Sequence, residues 1–134
     1  MSGEAGKAVA RAYMDAFNSG DISAQADTFN FPHIRLAEGK FTVLETREDY
    51  LKNGARMKAT LEDEGWHHTV LESLEVIQEG LDKVHLVIEN TRRRADDTVY
   101  NRFKTLWIAT LQDGHWGIQF RSSYLAEAAD DSDK

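Results

Sequence analysis

The apolar pattern of this 134-residue chain changes its period once, near Gly65 and Trp66, and that change restricts the folds open to it. Before Gly65, apolar residues recur every three or four positions, as on the buried side of amphipathic helices. After Trp66 they alternate with polar residues along several stretches, as in half-buried strands. Helices followed by a run of strands predict an α+β domain whose helices pack on one antiparallel sheet.

Three helices are predicted before the change. Residues 4–17 carry one apolar stripe, and Gly20 is placed to end that helix in the left-handed conformation. Residues 22–29 are predicted to form a short second helix. Thr46 and Asp49 form a capping box that opens a third helix, which ends at Gly65.

Six strands are predicted, joined by short turns. Asp113 and Gly114 are typical of a two-residue hairpin turn. We expect one domain over residues 1–126 and an acidic, frayed tail over residues 127–134. The predicted strands are residues 31–36, 41–45, 68–78, 83–94, 99–111 and 115–124.

Composition and charge exclude several classes of function. The formal charge is −7, from 23 acidic and 16 basic residues. This balance argues against nucleic-acid binding, which depends on Lys and Arg neutralising phosphates. The absence of Cys excludes disulfides, thiolate metal sites and cysteine nucleophiles. The first residues lack the apolar run of a signal peptide, and no stretch is long enough to span a membrane, so we expect a cytoplasmic protein.

Motifs for bound cofactors are also missing from the sequence. There is no Gly-x-Gly-x-x-Gly or phosphate-loop motif for a nucleotide, and no Gly-x-Ser-x-Gly elbow of a hydrolase. His67 and His68 look like a metal pair, but neighbours in a strand point to opposite faces. We therefore expect neither a cofactor nor a metal.

The order of elements resembles the nuclear transport factor 2-like superfamily, which includes ketosteroid isomerase and the SnoaL-like polyketide cyclases. The likeness covers about residues 5–125 and rests on AYMDAFNSGD at residues 12–21, Phe31-Pro32-His33, and DGHWGIQFRSS at residues 113–123. It implies a cystatin-like cone, with three N-terminal-half helices packed on a strongly curved, mostly antiparallel sheet. It does not imply one reaction, because this fold hosts catalysts, binders and association domains.

The resemblance to ketosteroid isomerases extends to one of three catalytic positions. Tyr13 matches the tyrosine that donates a hydrogen bond to the oxyanion. The residue before the first-strand proline is Phe31 here, where the family has its general-base Asp, and Leu106 falls near the family's protonated Asp. Ketosteroid isomerisation is therefore not expected. A cofactor-free isomerase, cyclase or dehydratase reaction stays open.

Two-residue turns would fix which strand residues lie opposite each other and so share a face. One face would mix aliphatic and ionisable residues, as a ligand pocket does, and the other would be aromatic. We expect the mixed face to line the cone. Its rows are Leu74–Val87–Leu106–Arg121, Val76–His85–Ile108–Gln119 and Glu72–Glu89–Lys104–Ser123.

The aromatic face is too apolar to be left in water. We expect it to form the outer side of the sheet and to pack against a second copy of the chain, chiefly through Trp107, Trp116 and Phe120. Its full membership is Leu86, Ile88, Phe103, Trp107, Trp116, Ile118 and Phe120.

Five residues of the mixed face are candidates for ligand binding: His85, Leu106, Ile108, Gln119 and Arg121. Arg121 could bind a carboxylate or enolate through its bidentate guanidinium, or could form an internal salt bridge to a glutamate. His85 could transfer protons or serve only the structure.

Three residues are candidates for catalysis: Tyr13, His33 and Glu89. Glu89 would share a proton with Glu72 across the strands, or would simply be neutralised by Lys104. His33 would be an exposed residue if the apolar side of its strand faces the core. If that strand turns into the cone, His33 would be the best general base near Tyr13.

Two functions therefore remain open from the sequence. The first is a pocket for a small organic ligand, either neutral or anionic, with or without cofactor-free proton transfer. The alternative is a non-catalytic homodimer that binds a ligand or serves association alone.

Overall fold

The computed structural model describes residues 2–125, so the predicted tail at residues 127–134 lies outside the described residues. Three helices and six strands follow one another in the predicted order. They are α1 (Ser2–Ser19), α2 (Ile22–Asp27), β1 (Phe29–Ala37), β2 (Lys40–Leu44), α3 (Arg47–Glu64), β3 (His68–Glu79), β4 (Lys83–Arg93), β5 (Val99–Gln112) and β6 (His115–Ser123). The predicted α+β class is confirmed. No helix within residues 2–125 is long and apolar enough to cross a membrane.

The helix ends follow the predicted capping chemistry. Thr46 and Asp49 form the capping box of α3: each side chain accepts a hydrogen bond from the backbone N–H of the other residue. Gly65 ends α3 in the left-handed conformation, with φ of 82°. Helix α2 is two residues shorter than predicted, because Phe29 already belongs to β1.

The strands form one mixed sheet in the order β2-β1-β6-β5-β4-β3. All neighbouring strands are antiparallel except β1 and β6, which run parallel. This parallel pair brings the first strand beside the last, and neither β1 nor β6 is an edge strand. Helix α1 packs on one side, called here the inner face, where it contacts β3, β4, β5 and β6.

The predicted pairing is confirmed for β4 with β5, where His85 lies opposite Ile108 and Glu89 opposite Lys104. The hairpin of β5 and β6 also begins as predicted, with Gln112 opposite His115. Asp113 and Gly114 both have positive φ, 52° and 79°, as a type I′ turn requires.

A bulge in β6 overturns the rest of that pairing. Ile118 lies opposite Ala109 but Phe120 lies opposite Ile108, so Gln119 is one extra residue. Beyond the bulge Arg121 pairs with Trp107, not with Leu106 as predicted. After residue 119, each β6 side chain therefore lies on the other face of the sheet from the β5 residue with which it was predicted to pair.

Two further irregularities shift β3 against β4. The loop after β3 is longer than two residues, and Glu79 lies opposite Val84. Register shifts at Ile77 and Glu72 then place Leu74 opposite Ile88, and Ser73, not Glu72, opposite Glu89. The predicted rows through Leu74, Val76 and Glu72 are therefore wrong.

The assignment of faces in the sequence analysis is wrong for β4 and β5. The face bearing Leu86, Ile88 and Trp107 packs under the helices, and each of these side chains is at most 3% exposed. The physical reason is simple: the helices bury the more apolar side of each strand. The core consists of Val9, Ala10, Tyr13, Met14, Ala26, Phe29, Tyr50, Val84, Leu86, Ile88, Trp107, Ala109 and Ile118.

The other side of the sheet is called here the outer face. Neighbouring strands place Ile34, Phe120 and Ile108 in one row, and Leu36, Leu106 and Val87 close to them. All six side chains are half-buried. These six residues form an apolar patch with one phenylalanine on the outer face, and not the tryptophan-rich patch that was predicted.

Candidate functional site

A cavity of about 500 Å³ opens between the helices and the inner face of the sheet. Its volume lies within the range of small-molecule pockets. Aromatic side chains line it together with several charged ones. The lining includes Tyr13, Phe17, Arg35, Glu38, Tyr50, Glu64, Asn90, Arg92, Phe103, Trp107 and Arg121.

Two arginines stand side by side in this cavity. Arg35 on β1 and Arg121 on β6 are register partners, so their side chains leave the same face of adjacent strands. Burial and the nearby Arg121 guanidinium lower the pKa of Arg35 below its usual value. Among residues 2–125 neither arginine has a carboxylate within 4.0 Å. The pair is thus a concentration of positive charge without an ion-pair partner among residues 2–125.

Arg121 is held in place by neutral groups. Its Nε donates to His33 Nε2 at 3.1 Å, and its Nη1 donates to the Tyr13 hydroxyl oxygen at 3.1 Å. The guanidinium carbon also lies 5.1 Å from the centre of the Phe29 ring and 5.4 Å from that of Tyr13. Such contacts orient a guanidinium and leave its charge uncompensated.

His33 turns into the cone, which is the second of the two predicted possibilities. The imidazole is fully buried and stacks on the Phe29 ring with the centroids 4.0 Å apart. Its Nδ1 lies 3.0 Å from the Ile118 carbonyl oxygen. Since the carbonyl can only accept, Nδ1 carries the proton and Nε2 accepts from Arg121.

These contacts do not fit the predicted role of His33 as a general base. Burial and the Arg121 charge lower the pKa of His33 to about 3, far from the neutral range where a base is efficient. Both ring nitrogens are already engaged. His33 is instead a positioning residue that aims Arg121 into the cavity.

The lowered pKa of His33 predicts a specific loss of stability in mild acid. The unfolded chain takes up the proton near pH 6.5, before the folded protein does, so protonation favours unfolding below that pH. This linkage should cost about 2 kcal/mol at pH 5 relative to pH 7. Urea unfolding of His33→Gln at the two pH values should show about 2 kcal/mol less pH dependence than the wild type.

His67→Gln serves as the control for this prediction, because His67 is exposed and lies away from the cavity. Its pH dependence should follow that of the wild type. Equal pH dependence in His33→Gln and the wild type would show that His33 is not held neutral by the fold.

Tyr13 lies at the centre of the aromatic wall. Its ring stacks on Phe29 at 5.2 Å and meets Trp107 edge-on at 5.3 Å. Burial and the neighbouring Tyr13 raise the pKa of Tyr50, whose hydroxyl donates to Gln25 Oε1. The Tyr50 hydroxyl is therefore a neutral hydrogen-bonding group.

Five predicted site residues lie away from the cavity. Glu89 belongs to the outer side of β4 and accepts from Arg102 Nη1 at 2.6 Å. Because Ser73 takes the predicted position of Glu72 opposite Glu89, the proton-sharing carboxylate pair is not formed. The bulge and the exchanged faces account for the others, which are His85, Leu106, Ile108 and Gln119.

The three predicted interface residues do not lie on one face of the sheet. Trp107 is 3% exposed in the core under α1, so it cannot belong to an outer interface. Trp116 is half-buried and packs against the core, on the same face of β6 as Ile118. Phe120 alone reaches the outer face, because the bulge moves it there.

Among the cavity residues that the sequence analysis missed are Arg35, Asn90 and Arg92. Arg35 shares its face with His33, so the same turn of β1 that carries His33 inward carries Arg35 as well. Arg92 Nη1 lies 3.4 Å from Glu64 Oε1, and its charge is partly neutralised there. No sequence motif marks these residues.

His67 and His68 behave differently from the expectation. His67 precedes β3, so strand alternation does not apply to it, and the two Nδ1 atoms lie 3.0 Å apart. His68 Nε2 also contacts Asp97 Oδ1 at 3.0 Å. Within residues 2–125 no group of three or more potential metal ligands comes together.

Comparisons with known proteins agree on the fold. A family model described as NTF2-like protein (DUF6841) matches residues 4–123. An NTF-2 like protein of unknown function from Shewanella oneidensis has a TM-score of 0.67 at 18% identity, over 87% of this chain and 93% of that chain. A ketosteroid isomerase-like protein from Erwinia carotovora gives 0.66 at 20% identity, over 89% of this chain and 92% of that chain.

A third solved structure, a protein of unknown function with a cystatin-like fold from Nostoc punctiforme, gives a TM-score of 0.72 at 11% identity, over 89% of this chain and 86% of that chain. No curated protein sequence matches. At these identities the likeness establishes the cystatin-like α+β fold that the sequence predicted, and nothing about the ligand.

Proposed function

The chain belongs to the NTF2-like family, and we propose that it binds a small organic carboxylate in the cavity beneath its helices. One observation carries this proposal. Arg35 and Arg121 are register partners that line the cavity, and among residues 2–125 neither has a carboxylate partner.

The electrostatics of the pair favour an anionic ligand. Two guanidiniums that are close and partly desolvated repel each other, and the lowered pKa of Arg35 reflects both effects. A carboxylate placed between them would remove the repulsion and accept charge-assisted hydrogen bonds from both. The Tyr13 hydroxyl, which accepts from Arg121, can donate its own proton to the same carboxylate.

The remaining walls favour an organic body on that ligand. Tyr13, Phe17 and Trp107 present aromatic rings, and Phe103 lies further along β5. These rings stack well on flat apolar groups, at about 0.5–1.5 kcal/mol per aromatic pair beyond area burial. An aryl-substituted acid therefore fits both the charge and the walls.

Binding is proposed rather than catalysis. Of the predicted bases, Glu89 lies on the outer face and His33 has both nitrogens engaged. Of the acidic residues that line the cavity, Glu64 accepts from Tyr100 and Arg92. Proton transfer would have to begin from Glu38 or from Tyr13, whose hydroxyl oxygen already accepts a hydrogen bond from Arg121.

The proposal is tested by comparing an acid with its neutral amide. Titration calorimetry should show that 4-phenylbutanoate binds about 10- to 150-fold more tightly than 4-phenylbutanamide, because hydrogen bonds to a charged group contribute about 1.5–3 kcal/mol. The difference should shrink as salt is added. Equal affinity for acid and amide, or no binding of the acid, would reject an anion pocket.

As a second function we propose self-association through the outer face, the alternative that the sequence left open. Its support is the continuous apolar row of Ile34, Phe120 and Ile108 across three strands, with Leu36 and Leu106 beside it. In a two-fold dimer, the same surface of a second copy of the chain would cover this row.

Phe120→Glu should convert such a dimer into a monomer, because it places two carboxylates in an apolar contact. Sedimentation velocity at micromolar concentration measures the change. Leu81→Glu is the matched control, since Leu81 is 93% exposed in the loop after β3. A monomeric wild type, or a dimer that persists in Phe120→Glu, would contradict this assembly.

A further inference from the structure

The Asn90 side chain is a second polar group in the cavity, at a distance from the arginine pair. Asn90 lies on β4, is 2% exposed and contributes to the cavity lining. Its Oδ1 is buried without any hydrogen-bond partner among the described residues. A buried amide in this state costs about 1–3 kcal/mol, so native proteins rarely keep one without a reason.

The Asn90 amide is an unsatisfied polar group at the cavity wall. Its Oδ1 takes part in no hydrogen bond within residues 2–125. A half-turn about the Cβ–Cγ bond would exchange Oδ1 and Nδ2. The site can therefore accept a hydrogen bond through oxygen or donate one through nitrogen, and a hydroxyl group suits both cases.

The position of Asn90 sets the length of the ligand. Asn90 lies opposite Phe103 on β5, whereas Arg121 lies opposite Trp107 on the same strand. These two levels are four residues apart, or about 14 Å along the strand. Since the arginine and asparagine side chains both reach inward, the ligand atoms that contact them would be separated by a distance on the order of 10 Å.

Aromatic side chains accompany both polar ends of this cavity wall. On the inner side of β5, Trp107 lies at the level of the arginine pair and Phe103 lies at the level of Asn90. Phe17 of α1 lines the same cavity. The Phe103 ring is also covered by the Arg92 guanidinium at 5.3 Å from its centroid. A flat, apolar spacer is the chemistry that such a channel accepts.

We propose that the ligand is an aryl acid with a hydroxyl group distal to its carboxylate, and that Asn90 binds this hydroxyl. This rests on the proposed function, because the carboxylate occupies the Arg35–Arg121 pair. Asn90 then discriminates among aryl acids by what they carry at the far end. A ligand without the hydroxyl leaves a buried amide unpaired and is rejected for that reason.

Titration calorimetry with two acids tests the proposal: 4-(4-hydroxyphenyl)butanoate and 4-phenylbutanoate, which differ by one hydroxyl. The wild type should bind the hydroxylated acid about tenfold more tightly. Asn90→Leu should bind the two acids equally. The matched control is Asn101→Leu, since Asn101 is 6% exposed and also has an unpaired Oδ1 but does not line the cavity. It should keep the tenfold preference.

The outcomes separate the two proposals. Equal binding of both acids by the wild type would overturn the role of Asn90 and leave the anion pocket standing, as would a preference that survives in Asn90→Leu. No binding of either acid would overturn both. If Asn90→Leu does not fold, the wild-type Asn90 side-chain NH2 signals in a ¹⁵N NMR titration decide: they should move with the hydroxylated acid and stay in place with 4-phenylbutanoate.

Discussion

Replacing Arg121 with methionine is expected to weaken binding of 4-phenylbutanoate roughly 30-fold to several thousand-fold, or about 2–5 kcal/mol. Methionine keeps much of the length and apolar stem of arginine but cannot donate to a carboxylate. The loss is expected to be large because the guanidinium is already oriented by His33 and Tyr13, so it pays little entropy on binding.

Arg102→Met is the control for this experiment. Arg102 is exposed and pairs with Glu89 on the outer side of the sheet, so the variant removes the same charge without touching the cavity. Calorimetry should give wild-type affinity for it. If Arg102→Met and Arg121→Met weaken binding equally, only the net charge of the protein matters and the anion site is not at Arg121.

The second large effect concerns Trp107. Trp107→Ala is expected to lower the free energy of unfolding by about 3–5 kcal/mol, as for other buried tryptophans cut back to alanine. The indole is 3% exposed and packs edge-on against Tyr13, so its removal opens a hole beside the proposed anion site. Urea denaturation followed by circular dichroism measures the change.

Leu106→Ala is the natural comparison, because Leu106 is the adjacent residue on the outer face. It should lose less than half as much stability as Trp107→Ala when both are measured at the same protein concentration. A reversed order would mean that the helices cover the face of β5 that bears Leu106, and the inner and outer faces described here would be exchanged.

Local chemistry made most of the fold predictable from the sequence. Thr46, Asp49 and Gly65 bracket α3 through interactions with their own neighbours, so no distant contact was needed to place that helix. The turn at Asp113 and Gly114 likewise fixed the first pairs of the last hairpin. The parallel pairing of β1 with β6 is non-local, and the sequence did not predict it.

The inner and outer faces could not be predicted with the same means. Strand alternation gives the facing of each residue only as long as no extra residue interrupts it. Gln119 in β6 and two positions in β3 interrupt it here, and none carries a glycine or proline that would mark a bulge. For β4 and β5 the pairing was right, and the error was to read the aromatic side as an interface when it was the core.

The candidate site was predictable in part for related reasons. Tyr13 lies on the buried stripe of α1, and helical spacing places such a residue without reference to the sheet. Arg121 was placed in the cavity from two errors that cancel: the wrong face was chosen, and the bulge then exchanged the facing of that segment. Arg35 and Asn90 become candidate site residues only through neighbours on other strands, which the sequence alone does not bring together.

The bulge at Gln119 also determines how relatives of this chain should be aligned. A homologue with a regular last strand needs one residue fewer between the hairpin turn and the inward-facing position that Arg121 holds here. The gap therefore belongs at Gln119 or Phe120, and an ungapped alignment would set the anion-binding arginine against a residue of the opposite face. Insertion or deletion at this one point can occur in evolution without altering which side chains enter the cavity.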